Sequence, residues 1–366
     1  MKSLCLLAVV VPLAAANFAE HTIASDLKGG YQVVVADLNH DGKPDLIALG
    51  SGMSELVWYE NPGWQRHVIA GGLSRMINCV VIGDDIVVAS EFSNEAGKSA
   101  GLVSVLHRDG DAWTAREIDR LPTSHRLRAA DIDGSGKKVV ISAPLTAATA
   151  SGPEYRGQTP LVFYRPGEWK RQVISEENSG VVHGLYIIDW DGDGRDEILT
   201  ASFTGIHLFK FRKDGRWMRT EIAKGDPAPW PKSGSSDIAV GKLGAERFLA
   251  AIEPWHGNQV VVYRQRAGAW ARQVIDTALL DGHTIVTAAL DGDGGDQIVA
   301  GYRGAGKSVY VYKADATGDH WTRQTLDNGG MGAAACIAAD LNADKRIDIA
   351  CIDGTRLKWY ENVGRN

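Results

Sequence analysis

Apolar and polar positions along the chain fall into short runs and do not show a helical period. Runs such as YQVVVAD from Tyr31, DLIALG from Asp45 and LVWYE from Leu56 are separated by clusters rich in Asp, Gly, Asn and Ser. Short apolar runs bounded by turn residues predict β-strands. A different pattern follows each group of three: an aromatic residue, then a polar and apolar alternation. It occurs as FAEHTI from Phe18, WQRHVI from Trp64, WTAREI from Trp113, WKRQVI from Trp169, WMRTEI from Trp217, WARQVI from Trp270 and WTRQTL from Trp321. Alternation of this kind predicts a strand with one wet face. The seven copies stand 46, 49, 56, 48, 53 and 51 residues apart, a repeat of about 50 residues carrying four short strands, which is the make-up of a propeller blade. The order is displaced, because the chain opens on the fourth-strand pattern at Phe18 and its last pattern, LKWYEN from Leu357, is a third strand. The first strand would complete the last blade, closing the ring and removing open sheet edges. The expectation is an all-β fold, a seven-bladed β-propeller of four-stranded blades over residues 17–366. A pair of β-sandwiches accounts for neither the period nor the displaced strand.

Residues 1–16 read as a signal peptide: Lys2, an apolar run from Leu4 to Leu13, then Ala14, Ala15 and Ala16 as a cleavage site. A secreted or periplasmic protein is expected, without a lipid anchor, since Cys5 lies at the front of the apolar run and not after it at the cleavage point. No later segment approaches the length that spans a bilayer, so no membrane insertion is expected. The 366 residues include 44% hydrophobic, 23% charged and 42 Gly, a folded chain that turns often. A net charge of -6 without a basic stripe argues against nucleic acid as a partner. The chain is expected to act as a monomer. Three cysteines lie beyond residue 16. Cys336 and Cys351 flank one hairpin and would face each other across two strands, either bridged or as two buried thiols.

The turns between first and second strands carry carboxylates at regular spacing. Asp37, Asn39, Asp41 and Asp45 in DLNHDGKPD take positions 1, 3, 5 and 9 with Gly42 at 6, an arrangement suited to calcium. Asp189, Asp191, Asp193 and Glu197 repeat it in blade four. Blade seven keeps Asp340, Asn342, Asp344 and Asp348 with Lys345 in the Gly place, and the pattern decays in the other blades. Structural calcium is expected in blades one and four, with blade seven a further candidate; the alternative is a tight turn whose Asp side chains cap backbone amides. These loops resemble FG-GAP or VCBS repeats of propeller proteins.

Counting back eight residues from the third position of each turn reaches the start of the first strand. There stand His125, His183 and His283, with Tyr31, Ser235 and Ala334 in three other blades; blade two does not align near Arg75 to Asn78. Three histidines in one register, where first strands converge on the channel, predict a cluster suited to zinc, manganese or magnesium or to general base work. Inheritance from a repeat founder is the competing explanation. Ends of second strands share this rim and add Glu253, Trp255, His256 and Asn258, with Glu91 placed in the register of Glu253, and Arg303. Two long insertions reach it as well, Pro144 to Pro160 with Tyr155 and GDPAPWPKSGS from Gly225 with Trp230 and Lys232; long structured loops are more often functional than idle. Aromatic, charged and amide side chains at one mouth suit a carbohydrate.

The segments SHRLRAAD around His125, VVHGLYI around His183, GDPAPW from Gly225, EPWHGNQVVVY around His256 and DGHTIVTAALDGDG around His283 resemble the propeller domain of aldos-2-ulose dehydratase, a fungal enzyme family that eliminates water from keto-sugars. The resemblance implies a divalent metal and dehydratase activity in the mouth. No cupin or lectin-like pattern follows the propeller pattern, so an isomerase step belonging to such parts is not expected. The expected function is a metal-dependent carbon–oxygen lyase acting on a keto-sugar such as 1,5-anhydrofructose or a 3-keto-glycoside. His125, His183 and His283 would be metal ligands or base, His256 an alternative base, and Glu253 an orienting group or acid. Trp255, Arg303, Glu91, Tyr31, Tyr155, Trp230, Lys232 and Asn258 would contact substrate. The alternatives are a propeller that only binds glycan or protein, and a propeller-type polysaccharide lyase.

Overall fold

The computed structural model describes residues 16–110 and 112–365; the expected signal peptide lies, but for Ala16, outside the described residues. Seven four-stranded antiparallel sheets follow one another around a ring. Blade one is built from Gly30–Ala36, Asp45–Gly50, Glu55–Glu60 and Gln65–Gly71, and blades two to six repeat the order inside to outside. Blade seven takes Ala335–Ala339, Asp348–Ile352 and Leu357–Gly364 from the end of the chain and Asn17–Ala24 from its beginning. Phe18 pairs with Asn362 and Thr22 with Lys358 across that closure, as the displaced pattern requires.

Burial explains the two kinds of run. Second strands lie between neighbouring blades on both faces, and all six residues of Asp45–Gly50, Val139–Pro144, Glu197–Ser202 and Gln297–Tyr302 are buried. Such strands read as near-continuous apolar runs, and their buried polar residues, Asp45 and Gln297 among them, are held by hydrogen bonds to turn amides. Fourth strands form the outer wall, so in Gln65–Gly71 and Trp217–Ala223 all residues but one are exposed or half-buried. Their leading aromatics fill the outer gaps between blades: Trp217 packs on Phe163 of the preceding blade, with ring centres 6.1 Å apart, and on Phe211 of its own.

Cys336 and Cys351 are directly paired in blade seven, with Cα atoms 4.1 Å apart, and form the disulfide. Cys79 is free and buried, and burial pushes its thiol up to about 12. First strands line the axis, and all seven contribute to a central cavity of about 290 Å³. Among the described residues, no helix is long and apolar enough to cross a membrane.

Candidate functional site

A local irregularity in four first strands builds the site. In blade one, Gly30 pairs with Gly50 and Gln32 with Leu49, leaving Tyr31 as the extra residue of a β-bulge. The same slip leaves out His125 in blade three, His183 in blade four and His283 in blade six. A bulge bends its strand and re-aims the extra side chain, here toward the axis at one mouth of the channel. Blades two, five and seven pair here without a slip. Pairing registers place Ser236, not Ser235, at the histidine position of blade five, since Asp237 pairs with Ile252, and Ile77 in blade two, where Asn78 pairs with Ala89.

The three expected histidines are buried and adjoin one another: ring centres of His125 and His183 are 5.0 Å apart, and those of His183 and His283 4.9 Å. His256 joins them from the loop after the second strand of blade five, 5.1 Å from both His183 and His283. Candidate ligand atoms of His183, His256 and His283 lie within 4.8 Å of one another. His256 therefore replaces His125 in the expected metal triad. His125 Nε2 faces the Tyr31 hydroxyl at 3.0 Å and accepts from Arg126 at 3.2 Å, and its Nδ1 has no partner.

Each member of the triad has a group beside its Nδ1. His283 donates to the Ala334 carbonyl at 2.6 Å, the Ser236 hydroxyl lies 3.4 Å from His183 Nδ1, and Asp281 Oδ1 lies 3.2 Å from His256 Nδ1. Ala334 and Ser236 occupy the histidine register of the next blade around, so that each orients the histidine before it. The Ala334 carbonyl fixes the proton on His283 Nδ1, and Arg126, donating to His183 Nε2, leaves that nitrogen with its lone pair, the outer arrangement metal-bound histidines require, while His256 Nδ1 lies between the Asp281 carboxylate and an Arg303 N–H. Burial first, and the nearby guanidinium of Arg126 or Arg303 second, hold His183 and His283 well below the usual imidazole range. Burial and Arg303 bring His256 down to about 4. The imidazoles are neutral at pH 7, and the donor set fits a divalent transition ion.

The rim is built as expected in part. Arg303 clamps Asp281 through two bonds of 3.1 Å and reaches His256 Nδ1 at 3.3 Å. Trp255 packs against His256 with the two rings tilted by 39° and their centres 4.6 Å apart. Tyr155 is buried edge-on against Trp255, and Trp230 packs on Phe203 while donating to the Glu154 carbonyl. The two insertions thus hold each other in one apolar cap.

Glu253 departs from its expected role. It is fully buried between strands of blade five, accepting from Tyr263 and paired with Arg272 at 2.8 Å, and it does not reach His256. Desolvation raises its pKa while those two partners oppose the shift. Nor is Glu91 in its register; Ser90 holds that place, because Ala89 and Ile252 are equivalent. Asn258 donates to the Thr277 carbonyl away from the cluster, and Lys232 is exposed. Arg126, Asp281 and Ser236 are site residues that sequence reading passed over. Strict alternation puts Arg126 on the face opposite His125; the bulge removes that alternation.

The Asp-rich turns cap backbone amides. Asp37 accepts from the amides of Asp41 and Gly42, and Asp45 from those of Leu38 and Asn61. In blade six Gln297 does the same for Leu290 without a charge. In blade four, Asp189, Asp191 and Glu197 bring ligand oxygens within 4.8 Å of one another, and the Lys210 ammonium contacts Asp191 and lies 3.0 Å from Asp193 and 3.2 Å from Glu197, so that lysine and a cation would compete for these carboxylates.

Residues 98–266 match the family described as aldos-2-ulose dehydratase, beta-propeller domain, and residues 29–55 match the FG-GAP repeat. The chain resembles the aldos-2-ulose dehydratase propeller. Aldos-2-ulose dehydratase of Phanerodontia chrysosporium is 27% identical over 326 residues, covering 76% of this chain. The chain spans 35% of that relative's length. The crystal structure of Saccharomyces cerevisiae Sqt1 superposes with a TM-score of 0.59 over 95% of this chain and 100% of that one at 9% identity, a likeness of fold alone.

Proposed function

We propose that the channel mouth is the active site of a carbon–oxygen lyase that removes water, or a glycosidic oxygen, from a keto-sugar. The observation that carries this reading is the cluster of converging imidazoles, buried His183 and His283 with half-buried His256, set in a chain similar to a dehydratase propeller. His183, His256 and His283 would hold a divalent ion. When bound it supplies Lewis acidity to the substrate carbonyl, lowering the cost of the enolate.

The chain's own residues supply the proton transfers. His125, outside the triad, takes the proton from the carbon next to the carbonyl. The electron pair forms the new carbon–carbon double bond, and the carbon–oxygen bond breaks. Tyr31, whose hydroxyl touches both His125 and His283, passes a proton to the departing oxygen. Trp255 offers a face to sugar C–H groups, and Arg303 is fixed beside His256 by Asp281.

Export from the cell, action as a monomer, and calcium in the Asp37–Asp45 turn belong to the same proposal; the first rests on the apolar run from Leu4 to Leu13. The test uses the conjugated enone that elimination creates. Purified protein with zinc, manganese, magnesium or calcium should raise near-ultraviolet absorbance on mixing with 1,5-anhydrofructose or a 3-keto-glycoside. Silence across such a panel, with glycan binding retained, assigns the mouth to recognition; release of unsaturated oligosaccharides from polymers assigns it to polysaccharide cleavage.

A further inference from the structure

Arg126 is 6% exposed and sits among the histidines. Its guanidinium donates to His125 Nε2 at 3.2 Å and to His183 Nε2 at 3.4 Å, and it lies over the Tyr31 ring at 5.8 Å. Of five N–H donors in a planar fork, two are engaged, both by neutral rings at long distance. Among the described residues, no carboxylate pairs with it. The mouth's own carboxylate, Asp281, is held bidentate by Arg303. Deeper in the channel, Asp237 is one carboxylate within the field of two guanidiniums, Arg126 and Arg128. Three arginines against two aspartates leave one positive charge in surplus, shared by Arg126 and Arg128 on the wall of the central cavity, and of the two it is Arg126 that stands among the histidines of the mouth. A buried guanidinium without a counter-charge costs several kcal/mol of desolvation, and an anion that fits its fork removes that cost.

We propose that the mouth takes a sugar bearing a carboxylate, with Arg126 as the carboxylate's bidentate partner. The inference rests on reading the mouth as a carbohydrate site and narrows its substrate class to acidic sugars, such as uronates and their keto derivatives. A carboxylate is planar with two oxygens at the spacing of the fork, whereas a sugar hydroxyl satisfies one donor and leaves the charge in place. The anion would stand beside the histidine triad, where it also complements a bound divalent ion.

Calorimetric titration of the full chain with methyl glucopyranosiduronate, and with the neutral methyl glucopyranoside of the same shape, tests this without turnover. The uronate should bind about tenfold or more tighter, the ratio expected of a charge-assisted bond. That preference should shrink in high salt, vanish in Arg126→Gln and fall several-fold in Arg126→Lys, which keeps the charge but not the fork. Equal affinities, or a preference that survives Arg126→Gln, overturn the acidic-sugar inference and leave the carbohydrate reading standing. Wild-type protein that binds neither sugar overturns both. If the glutamine variant does not fold, the lysine variant decides, and an unchanged preference there overturns the inference.

Discussion

Tyr31 and His283 occupy the same bulged position in blades one and six, and the Tyr31 hydroxyl lies 3.1 Å from His283 Nε2. His283 Nδ1 donates to Ala334, so Nε2 is an acceptor. The Tyr31 hydroxyl also lies 3.0 Å from His125 Nε2, which accepts from Arg126. One hydroxyl proton thus stands between two imidazole lone pairs; with that of His283 given to an ion, the hydroxyl is left with His125 Nε2 as its partner for proton transfer. Tyr31→Phe should lower kcat on the order of 100-fold while leaving KM nearly unchanged, because the ring still packs against both histidines. Steady-state kinetics on a responsive keto-sugar read this directly, and a loss confined to KM would assign Tyr31 to binding.

The exchange of His256 for His125 in the triad gives an outcome that sequence spacing alone would reverse. His256→Ala should lose the mouth metal, as should His183→Ala and His283→Ala, since three protein ligands are the usual minimum for an open catalytic site. His125→Ala should keep the metal at full stoichiometry and lose turnover. Metal content per chain by plasma mass spectrometry, beside the rate for each variant, separates the two roles. A metal that depends on His125 and not on His256 would restore the spacing-based assignment.

The architecture was legible because a propeller repeats its burial pattern seven times, and the strand displaced to Phe18 shows how the ring closes. The histidine register was legible for the same reason. What escaped was whatever breaks the repeat. His256 was read at the mouth as an alternative base, but its place in the triad was not, because it arrives on a loop with no counterpart among the first strands. Arg126 faces inward only because the bulge at His125 interrupts alternation. Glu253 looked functional by its neighbours in sequence, yet it lies inside blade five, where Tyr263 and Arg272 satisfy it. The spacing of a calcium turn was visible in blade four, but the lysine that competes for its carboxylates comes from the third strand, thirteen positions beyond Glu197.

That lysine marks a register that sets the charge of each turn. One residue beyond the paired positions, the register sets Glu197 opposite Lys210, Gln297 opposite Lys313 and Val139 opposite Arg165, whereas it sets Asp45 and Asp348 opposite Glu60 and Glu361. Lys313 contacts Asp291 at 2.5 Å and Asp293 at 2.6 Å, so blade six carries its own cation like blade four. Calcium is therefore expected to bind more readily in blade one than in blade four, where it must displace Lys210 from Asp191 and Glu197. Millimolar calcium, the range of extracellular sites, should raise the Tm of the wild type, and Asp37→Ala should abolish that rise. Lys210→Gln should lower Tm without calcium and gain a further calcium equivalent by titration. A Lys210→Gln protein indifferent to calcium would show that the acidic turn of blade four serves only to cap amides.

Acid should weaken the fold through His207, a histidine remote from the mouth. It lies on the third strand of blade four, paired with Thr200 and Glu221, is 2% exposed, and its Nδ1 has no partner. Burial, helped by the positive charge of Arg219, brings its pKa down to about 4 from an ordinary value of 6.5. The unfolded chain then takes up a proton as pH falls through 6.5 while the folded chain does not, so stability is complete above 6.5 and declines toward pH 4. The shift corresponds to on the order of 3 kcal/mol, lost progressively over that window. His207→Leu removes the titrating group while keeping an apolar side chain of similar size. Denaturant melts at pH 7 and pH 4.5 should show a smaller difference for this variant than for the wild type, by about 2 kcal/mol. The mouth histidines contribute equally to both proteins and cancel in the comparison, so an unchanged difference would mean that His207 is protonated in the folded chain or finds a partner there.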